Sequence, residues 1–260
     1  MLSYQHIYHA GNPADVHKHA ILADCLSYMT AKDKPISYLE THAGRGLYHL
    51  DAPEALRTGE AQAGIGALAA ALEGTAYHAA LAGIRAAHGA SAYPGSPMLA
   101  AGLLRPQDRL DLAELHPREH AALVQAMAGT KARLHMQDGF AMARALCPPT
   151  PRRGLLLIDP SYEVKEDYAR IPAEIARLHR AWNVGVIALW YPILTQSAHL
   201  PMLAALEAQG LAETLRHEVR FAPVRPGHRM IGSGMYVINP PWGLARITDR
   251  LDTVFSAGRA

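Results

Sequence analysis

Short apolar runs alternate along the chain with segments whose apolar residues recur at helical spacing, and this βαβα rhythm predicts a mostly parallel sheet covered by helices. The first helix opens at Asn12-Pro13, where a capping side chain precedes a proline at the first helical position and Asp15 sits in the first turn. Leu22, Cys25, Leu26 and Met29 then supply an i, i+3, i+4, i+7 stripe. Ile36 to Leu39 reads as the first strand and runs straight into Glu40-Thr41-His42-Ala43-Gly44-Arg45-Gly46, a glycine-bearing turn. Further strands are predicted at Arg109 to Leu115, Leu134 to Gln137, Leu155 to Ile158 and Val184 to Trp190. The run Leu155 to Ile158 is apolar throughout, as a strand buried on both faces must be. Tyr168, Ile171, Ile175 and Leu178 mark a helix, and Leu211 to Phe221 with Gly234 to Ile238 form a hairpin at the sheet edge.

The stretch from Asp51 to Ala92 breaks the rhythm. It is rich in Ala and Gly and holds no convincing strand, so it reads as an insertion of short helices. The expected organisation is one α/β domain made of residues 1–50 and 93–260, with 51–92 as a small inserted helical subdomain. At 260 residues, half of them hydrophobic, the chain can bury a full core.

Two isolated cysteines, Cys25 and Cys147, exclude a disulfide framework or a cysteine-based zinc site and fit a reducing compartment. The polar, His/Tyr-rich start from Met1 to Gly11 lacks the apolar stretch of a signal or membrane span, so a cytoplasmic location is expected. A net charge of +2 is too mild to announce a nucleic-acid binder by itself. Between Arg216 and Arg229, however, Arg216, Arg220, Arg225, Arg229, His217 and His228 face a single acid, Glu218. That segment is either a phosphate-facing patch or a solvated strand and loop.

An open parallel sheet binds its ligand outside the carboxyl ends of its strands, so the residues at strand ends are the ones to examine. Gly44 and Gly46 allow close backbone approach. Glu114, after the second strand, can accept both hydroxyls of a ribose, and Asp138, after the third, can accept the amino group of an adenine. The ribose acid usually follows the glycine turn by about 20 residues; Glu114 comes much later, and removing the insertion largely restores the spacing. Each signal alone is weak, because a strand-terminal acid is often a helix cap. Their order on successive strands points to a nucleotide-type cofactor.

Asp159-Pro160-Ser161-Tyr162 follows the buried fourth strand and resembles the Asp-Pro-Pro-Tyr signature of amino methyltransferases. An aromatic amine is a poor nucleophile because its lone pair is delocalised into the ring. Asp159 can accept one N6 hydrogen and the Pro160 carbonyl the other, while Tyr162 stacks on the base. The carboxylate then stabilises growing positive charge on nitrogen and takes the departing proton. Ser161 replaces the second proline, which loosens the turn and leaves the Pro160 carbonyl in place. Asn239-Pro240-Pro241-Trp242 also fits the pattern as a string, but an antiparallel final strand delivers Asn239 to the end remote from the cofactor crevice.

With these residues assembled, the chain resembles nearly end to end the RlmJ family of 23S ribosomal RNA adenine-N6 methyltransferases. The resemblance rests on Met1-Leu2-Ser3-Tyr4, His9-Ala10-Gly11-Asn12, Asp15-Val16-His17-Lys18-His19, Thr41-His42-Ala43-Gly44, Tyr93-Pro94-Gly95-Ser96-Pro97, Glu114-Leu115-His116-Pro117, Asp138-Gly139-Phe140 and Leu189-Trp190-Tyr191-Pro192, with Val237-Ile238-Asn239-Pro240-Pro241-Trp242 at the end. It implies a Rossmann-like class I fold that uses S-adenosyl-L-methionine, with a helical subdomain inserted early. The implied cofactor contacts are His19, His42, Gly44, Ser96, Glu114, Asp138, Gly139 and Asp159. Catalysis would fall to Asp159 with Pro160 and Tyr162, and Tyr4 and Lys18 would meet the RNA. The expected partner is 23S rRNA, with no membrane, no metal and a monomeric chain. Glu40 stands where many relatives carry Asp, and Arg45 between the two glycines could reach phosphate.

Fifteen histidines invite a metal reading, especially His17 and His19 beside His42. Residues two apart on a helix point in different directions, whereas a helical metal pair wants i, i+4 spacing, so no metal is expected. Three functions stay open: adenine methylation of ribosomal RNA, the same chemistry on DNA or another RNA, and a non-catalytic nucleic-acid-binding protein linked to use of external DNA. Asp159 and Tyr162 favour an enzyme.

Overall fold

The computed structural model describes residues 4–223, 227 and 229–257. Its helices are α1 (Pro13–Thr30), α2 (Pro53–Thr58), α3 (Ala76–His88), α4 (Ser96–Leu103), α5 (Pro117–Ala126), α6 (Gly139–Leu146), α7 (Asp167–Ala181), α8 (His199–Glu207) and α9 (Ala245–Ala257). The strands are β1 (Ser37–Glu40), β2 (Leu47–His49), β3 (Ala92–Pro94), β4 (Arg109–Ala113), β5 (Arg133–His135), β6 (Gly154–Ile158), β7 (Val186–Leu194), β8 (Thr214–Arg220) and β9 (Met230–Ile238). Asn12 caps α1, its side-chain oxygen accepting from the Asp15 amide at 2.9 Å; this satisfies a donor that the helix start leaves open. Leu22, Cys25, Leu26 and Met29 are buried as a stripe, and each leucine or methionine so placed stabilises the fold by about 1.5–3 kcal/mol.

The main sheet runs β5-β4-β1-β6-β7-β9-β8. Its first five strands are parallel, while β9 is antiparallel to both β7 and β8. The uninterrupted apolar character of β6 has a direct cause. Leu155 and Leu157 enter the core shared with α1 and α9, whereas Leu156 and Ile158 enter the core shared with α6, α7 and α8. This is the doubly covered sheet that the sequence pattern predicts, with its antiparallel hairpin at one edge.

Between β1 and β4 the chain leaves the sheet. β2 and β3 pair antiparallel, Tyr48 opposite Tyr93, as a separate two-stranded sheet. Three-residue strands are too short to show a period of two, so the hydrophobic pattern missed them. Ile65, Leu72, Tyr77 and Leu81, all from the alanine-rich segment, belong to the same core as α1.

The antiparallel course of β9 decides between the two amino-methyltransferase-like motifs. Ile238 pairs with Ile187 near the start of β7, whereas Ile158 pairs with Leu189 further along it. Asn239 and Asp159 therefore leave opposite ends of the sheet. The Asn239 side chain donates to the carbonyls of Asn183 at 2.9 Å and Gly185 at 2.8 Å, which makes it the tie of a structural turn.

Candidate active site

The carboxyl ends of the parallel strands open onto a cleft of about 830 Å³. Asp159, Pro160, Tyr162, His19, His42, Gly44, Ser96, Glu114, Asp138 and Gly139 line it, as do Tyr4 and Lys18 from the N-terminal segment and α1, whereas Gly46 packs toward Leu123 instead. Gly44 adopts φ +62, and a Cβ there would meet the Tyr48 hydroxyl at 2.8 Å. Gly139 is more constrained still. An added Cβ would lie 1.9 Å from the Thr41 carbonyl, so only glycine lets the start of α6 close onto the end of β1.

Glu114 is oriented by two backbone donors, the Gly44 amide at 2.8 Å on Oε2 and the His116 amide at 2.7 Å on Oε1. A carboxylate has about four lone-pair sites, so each oxygen can still accept a ribose hydroxyl. Burial pushes its pKa up against the pull of those amides. Asp138 caps α6 through the Ala141 amide at 2.7 Å and faces Arg170 at 3.3 Å. His42 is held by Thr41 Oγ1 at 2.7 Å, and burial drives its pKa down to about 4, so it is a neutral ring. His19 bonds the Tyr93 hydroxyl at 3.0 Å, and burial lowers its pKa to about 3. Ser96 donates to Glu40, which also accepts from Tyr38 at 2.9 Å; burial raises the Glu40 carboxyl to about 8 despite those two donors. A glycine turn that brings its backbone to the cleft at Gly44, a ribose-suited acid and neutral imidazoles together fit the adenosyl group of S-adenosyl-L-methionine.

Asp159 does not stand alone. Lys18 Nζ donates to its Oδ2 at 2.6 Å and lies 3.1 Å from Asp15 Oδ1. Asp15 Oδ2 in turn takes His6 Nε2 at 2.8 Å and the Gly11 amide at 2.9 Å, and His6 Nδ1 meets the Tyr4 hydroxyl at 2.7 Å. A continuous chain of hydrogen bonds thus runs from Tyr4 through His6, Asp15 and Lys18 to Asp159. Burial opposes charge on Lys18, but Asp159 and Asp15 outweigh it and hold the ammonium pKa above its ordinary value. Burial likewise opposes ionisation of Asp15, and His6 with Lys18 outweighs it, so this carboxyl stays well below the usual range. The Lys18 ammonium also sits 5.4 Å from the Trp190 ring centroid.

Tyr162 lines the cleft with its ring largely buried. Its ring is only 9% exposed, packs 4.6 Å from that of Tyr168, and its hydroxyl donates to the Trp190 carbonyl at 2.7 Å. Its φ of 56 is unusual for an aromatic residue and marks a strained turn, worth about 1–3 kcal/mol.

Arg45 is committed to Glu119 by two bonds of 2.9 and 2.6 Å rather than turned to a ligand. In the basic segment, Arg216 pairs with Glu207 and Glu218, and His217 bonds His17 and Asp252. Arg225 and His228 lie outside the described residues, while Arg229 lines the cleft. His17 turns to Ser233 and His217, and His19 to Tyr93, which is the divergence that i, i+2 spacing dictates. Among the described residues no cluster of metal-ligating side chains occurs and no helix is long and apolar enough to cross a membrane. Sequence reasoning missed His6 and Trp190 and took Asp15 for a first-turn helix acid. The available signal was Asp15 and Lys18 in line with Leu22 and Cys25, charges on the stripe that faces the core.

A family model described as "Ribosomal RNA large subunit methyltransferase D, RlmJ" matches residues 33–255. The chain is 42% identical over 251 residues to "Ribosomal RNA large subunit methyltransferase J" of Escherichia coli, an alignment that covers 94% of this chain and 89% of that protein. Against the protein of the same name from Haemophilus influenzae the identity is 39% over 250 residues, with the same coverage of 94% and 89%. The crystal structure of a Legionella pneumophila protein assigned to DUF519 superposes with a TM-score of 0.84 at 36% identity, covering 96% of this chain and 95% of that one.

Proposed function

The chain belongs to the RlmJ family of ribosomal RNA large subunit methyltransferases, and from that premise we propose that it methylates the exocyclic N6 amine of an adenine in 23S rRNA. Family and fold imply S-adenosyl-L-methionine as the cofactor, which when bound supplies an electrophilic sulfonium methyl. Glu114 would accept the ribose hydroxyls, Asp138 the adenine amino group, and Gly44 and Gly139 would leave room for the nucleoside. His19, His42 and Ser96 would close the remaining wall.

The observation that carries the reading is that Asp159, at the end of buried β6, opens onto the same cleft as Glu114 and the glycine turn. Its carboxylate can accept one N6 hydrogen while the Pro160 carbonyl accepts the other, which returns the nitrogen lone pair to the attacking direction. As positive charge grows on the nitrogen, Asp159 would stabilise it and take the departing N6 proton. Lys18 occupies one acceptor site on Oδ2 at 2.6 Å, and the carboxylate keeps further lone pairs for the amine. Tyr162 borders the base position, and stacking on the base requires its ring to leave Tyr168. Tyr4, at one end of the hydrogen-bonded chain, and Lys18, next to Asp159 at the other, would meet the arriving RNA.

Asp159→Ala should abolish transfer of labelled methyl from S-adenosyl-L-methionine to 23S rRNA while calorimetry shows cofactor binding preserved. Retained turnover would place the chemistry elsewhere. Mass spectrometry of rRNA from a deletion strain should show one N6-methyladenine fewer; an unchanged count removes 23S rRNA as the substrate.

A further inference from the structure

One motif singled out in the sequence plays no part in the cleft. Asn239-Pro240-Pro241-Trp242 lies at the opposite end of the sheet, tied by Asn239 to the carbonyls of Asn183 and Gly185, and it leaves Trp242 80% exposed. Val184, between those two anchors, is 58% exposed. A single exposed indole is ordinary; its surroundings are what make this one informative.

Along the same edge, the segments leading into the parallel strands are basic. Lys131 precedes β5, Lys32 and Lys34 precede β1, Arg152 and Arg153 precede β6, and Arg180 lies in the last turn of α7 before β7. These segments touch one another. Arg153 Nη1 donates to the Lys34 carbonyl at 3.4 Å, Lys131 Nζ to the Pro106 carbonyl at 3.1 Å, and the Trp182 indole to the Arg152 carbonyl at 2.6 Å. None of these six cations has an ion-pair partner among the described residues, whereas Asp108 and Asp111 are consumed by Arg105, Arg109 and Arg133. In the same segments Asp33 and Glu213 are the acids without an ion pair among the described residues. The surplus on this edge therefore exceeds the +2 of the entire chain, and the rest of the molecule is net acidic.

Five strand spacings separate the start of β5 from the end of β9. At about 4.8 Å each they span about 24 Å, the length of roughly seven nucleotides of one stacked strand at ~3.4 Å rise. Cations take phosphates without regard to sequence, and an exposed aromatic at the end of such a row offers a platform for an unpaired base. We propose that this edge is a second RNA-binding surface, on which lysines and arginines hold the backbone of a segment remote from the target adenine while Trp242 stacks on a base. The proposal rests on the reading of rRNA as substrate. The five residues of β6 separate this edge from Asp159, about 16 Å of strand, so an RNA no larger than the target stem-loop fills the cleft alone.

The test compares the wild type with Trp242→Ala, Trp242→Phe and the triple variant Lys34→Glu/Lys131→Glu/Arg152→Glu. The ligands are transcribed 23S rRNA and a short stem-loop around the methylated adenine, with binding measured across a salt series and methyl transfer measured in parallel. The triple variant should bind 23S rRNA at least tenfold more weakly, with the slope of log K against log salt reduced by about 2–3. Trp242→Ala should lose about fivefold or more, and Trp242→Phe should recover most of it. On the stem-loop, binding and turnover should stay within twofold of wild type. Unchanged affinity and slope on 23S rRNA overturn the proposal, and so does an equal loss on both ligands. If the wild type transfers no methyl to rRNA while the variants still lose 23S rRNA binding, the surface stands and the adenine reading falls.

Discussion

Replacing Lys18 by Met probes the ionic centre on which Asp159 depends. The ammonium lies 2.6 Å from Asp159 Oδ2 and 3.1 Å from Asp15 Oδ1, and the lysine is only 4% exposed. At an effective dielectric of ~20, each contact amounts to about 5–6 kcal/mol before desolvation. Removing the lysine also removes its own desolvation cost, and breaking a buried pair from one side typically leaves a net loss of about 3–5 kcal/mol. The lower end applies here, because Asp15 keeps His6 and the Gly11 amide and Asp159 borders the cleft. A loss of about 3 kcal/mol corresponds to a Tm lower by about 6–12 °C for a chain of this size. Urea denaturation of Lys18→Met, Asp15→Asn and the double variant forms a cycle. The double variant should be less destabilised than the sum of the singles by about 1 kcal/mol or more, since the second change removes an acid that has already lost its lysine. A single variant within 0.5 kcal/mol of wild type, or strict additivity, would refute the reasoning.

Glu114→Gln exchanges a charged acceptor for a neutral one; the lost charge-assisted bonds to ribose, worth about 1.5–3 kcal/mol, should weaken S-adenosyl-L-methionine binding by about 10- to 100-fold in calorimetry. Undiminished affinity would contradict the ribose assignment. For Glu40, a folded-state pKa of about 8 against an ordinary 4.5 means that its contribution to stability is complete below about 4.5 and is lost as pH rises through 8. Glu40→Gln keeps an acceptor oxygen for one of Ser96 and Tyr38, offers its amide to the other hydroxyl oxygen and does not titrate, so its stability should decline less than that of the wild type between pH 6 and 9, and parallel denaturation curves would dismiss the raised pKa.

The parallel part of the sheet was legible because its strands write their burial directly into residue type. β6 is apolar at four successive positions, Leu155 to Ile158, because alternate side chains enter two different cores, and no solvated strand has that composition. The ends of those strands were equally readable. Glu114 and Asp138 break apolar runs where a chain must leave a sheet, and sheet topology alone then places them on one rim with Asp159. The same reasoning separated Asp159 from Asn239, since strand direction follows from hairpin connectivity. What escaped was structure too short to be periodic, such as β2 and β3.

The ionic centre was hidden for a different reason. Asp15 satisfies two descriptions at once: an acid in the first turn favours the helix dipole, and the same residue lies on the buried stripe of α1. Only the second predicts what the molecule does with it, and that depends on Asp159, 141 positions from Lys18. A buried charge is tolerable only with its partner in place, so the pairing is a property of the assembled fold and has no local signature. Tyr162 shows the same boundary within a single side chain. Its residue type is visible in the motif, but its packing on Tyr168 and its bond to the Trp190 carbonyl join parts of the chain that residue type does not bring together. The cleft wall therefore has two layers. Strand ends position Glu114, Asp138 and Asp159, and residues distant in sequence supply the partners those acids meet.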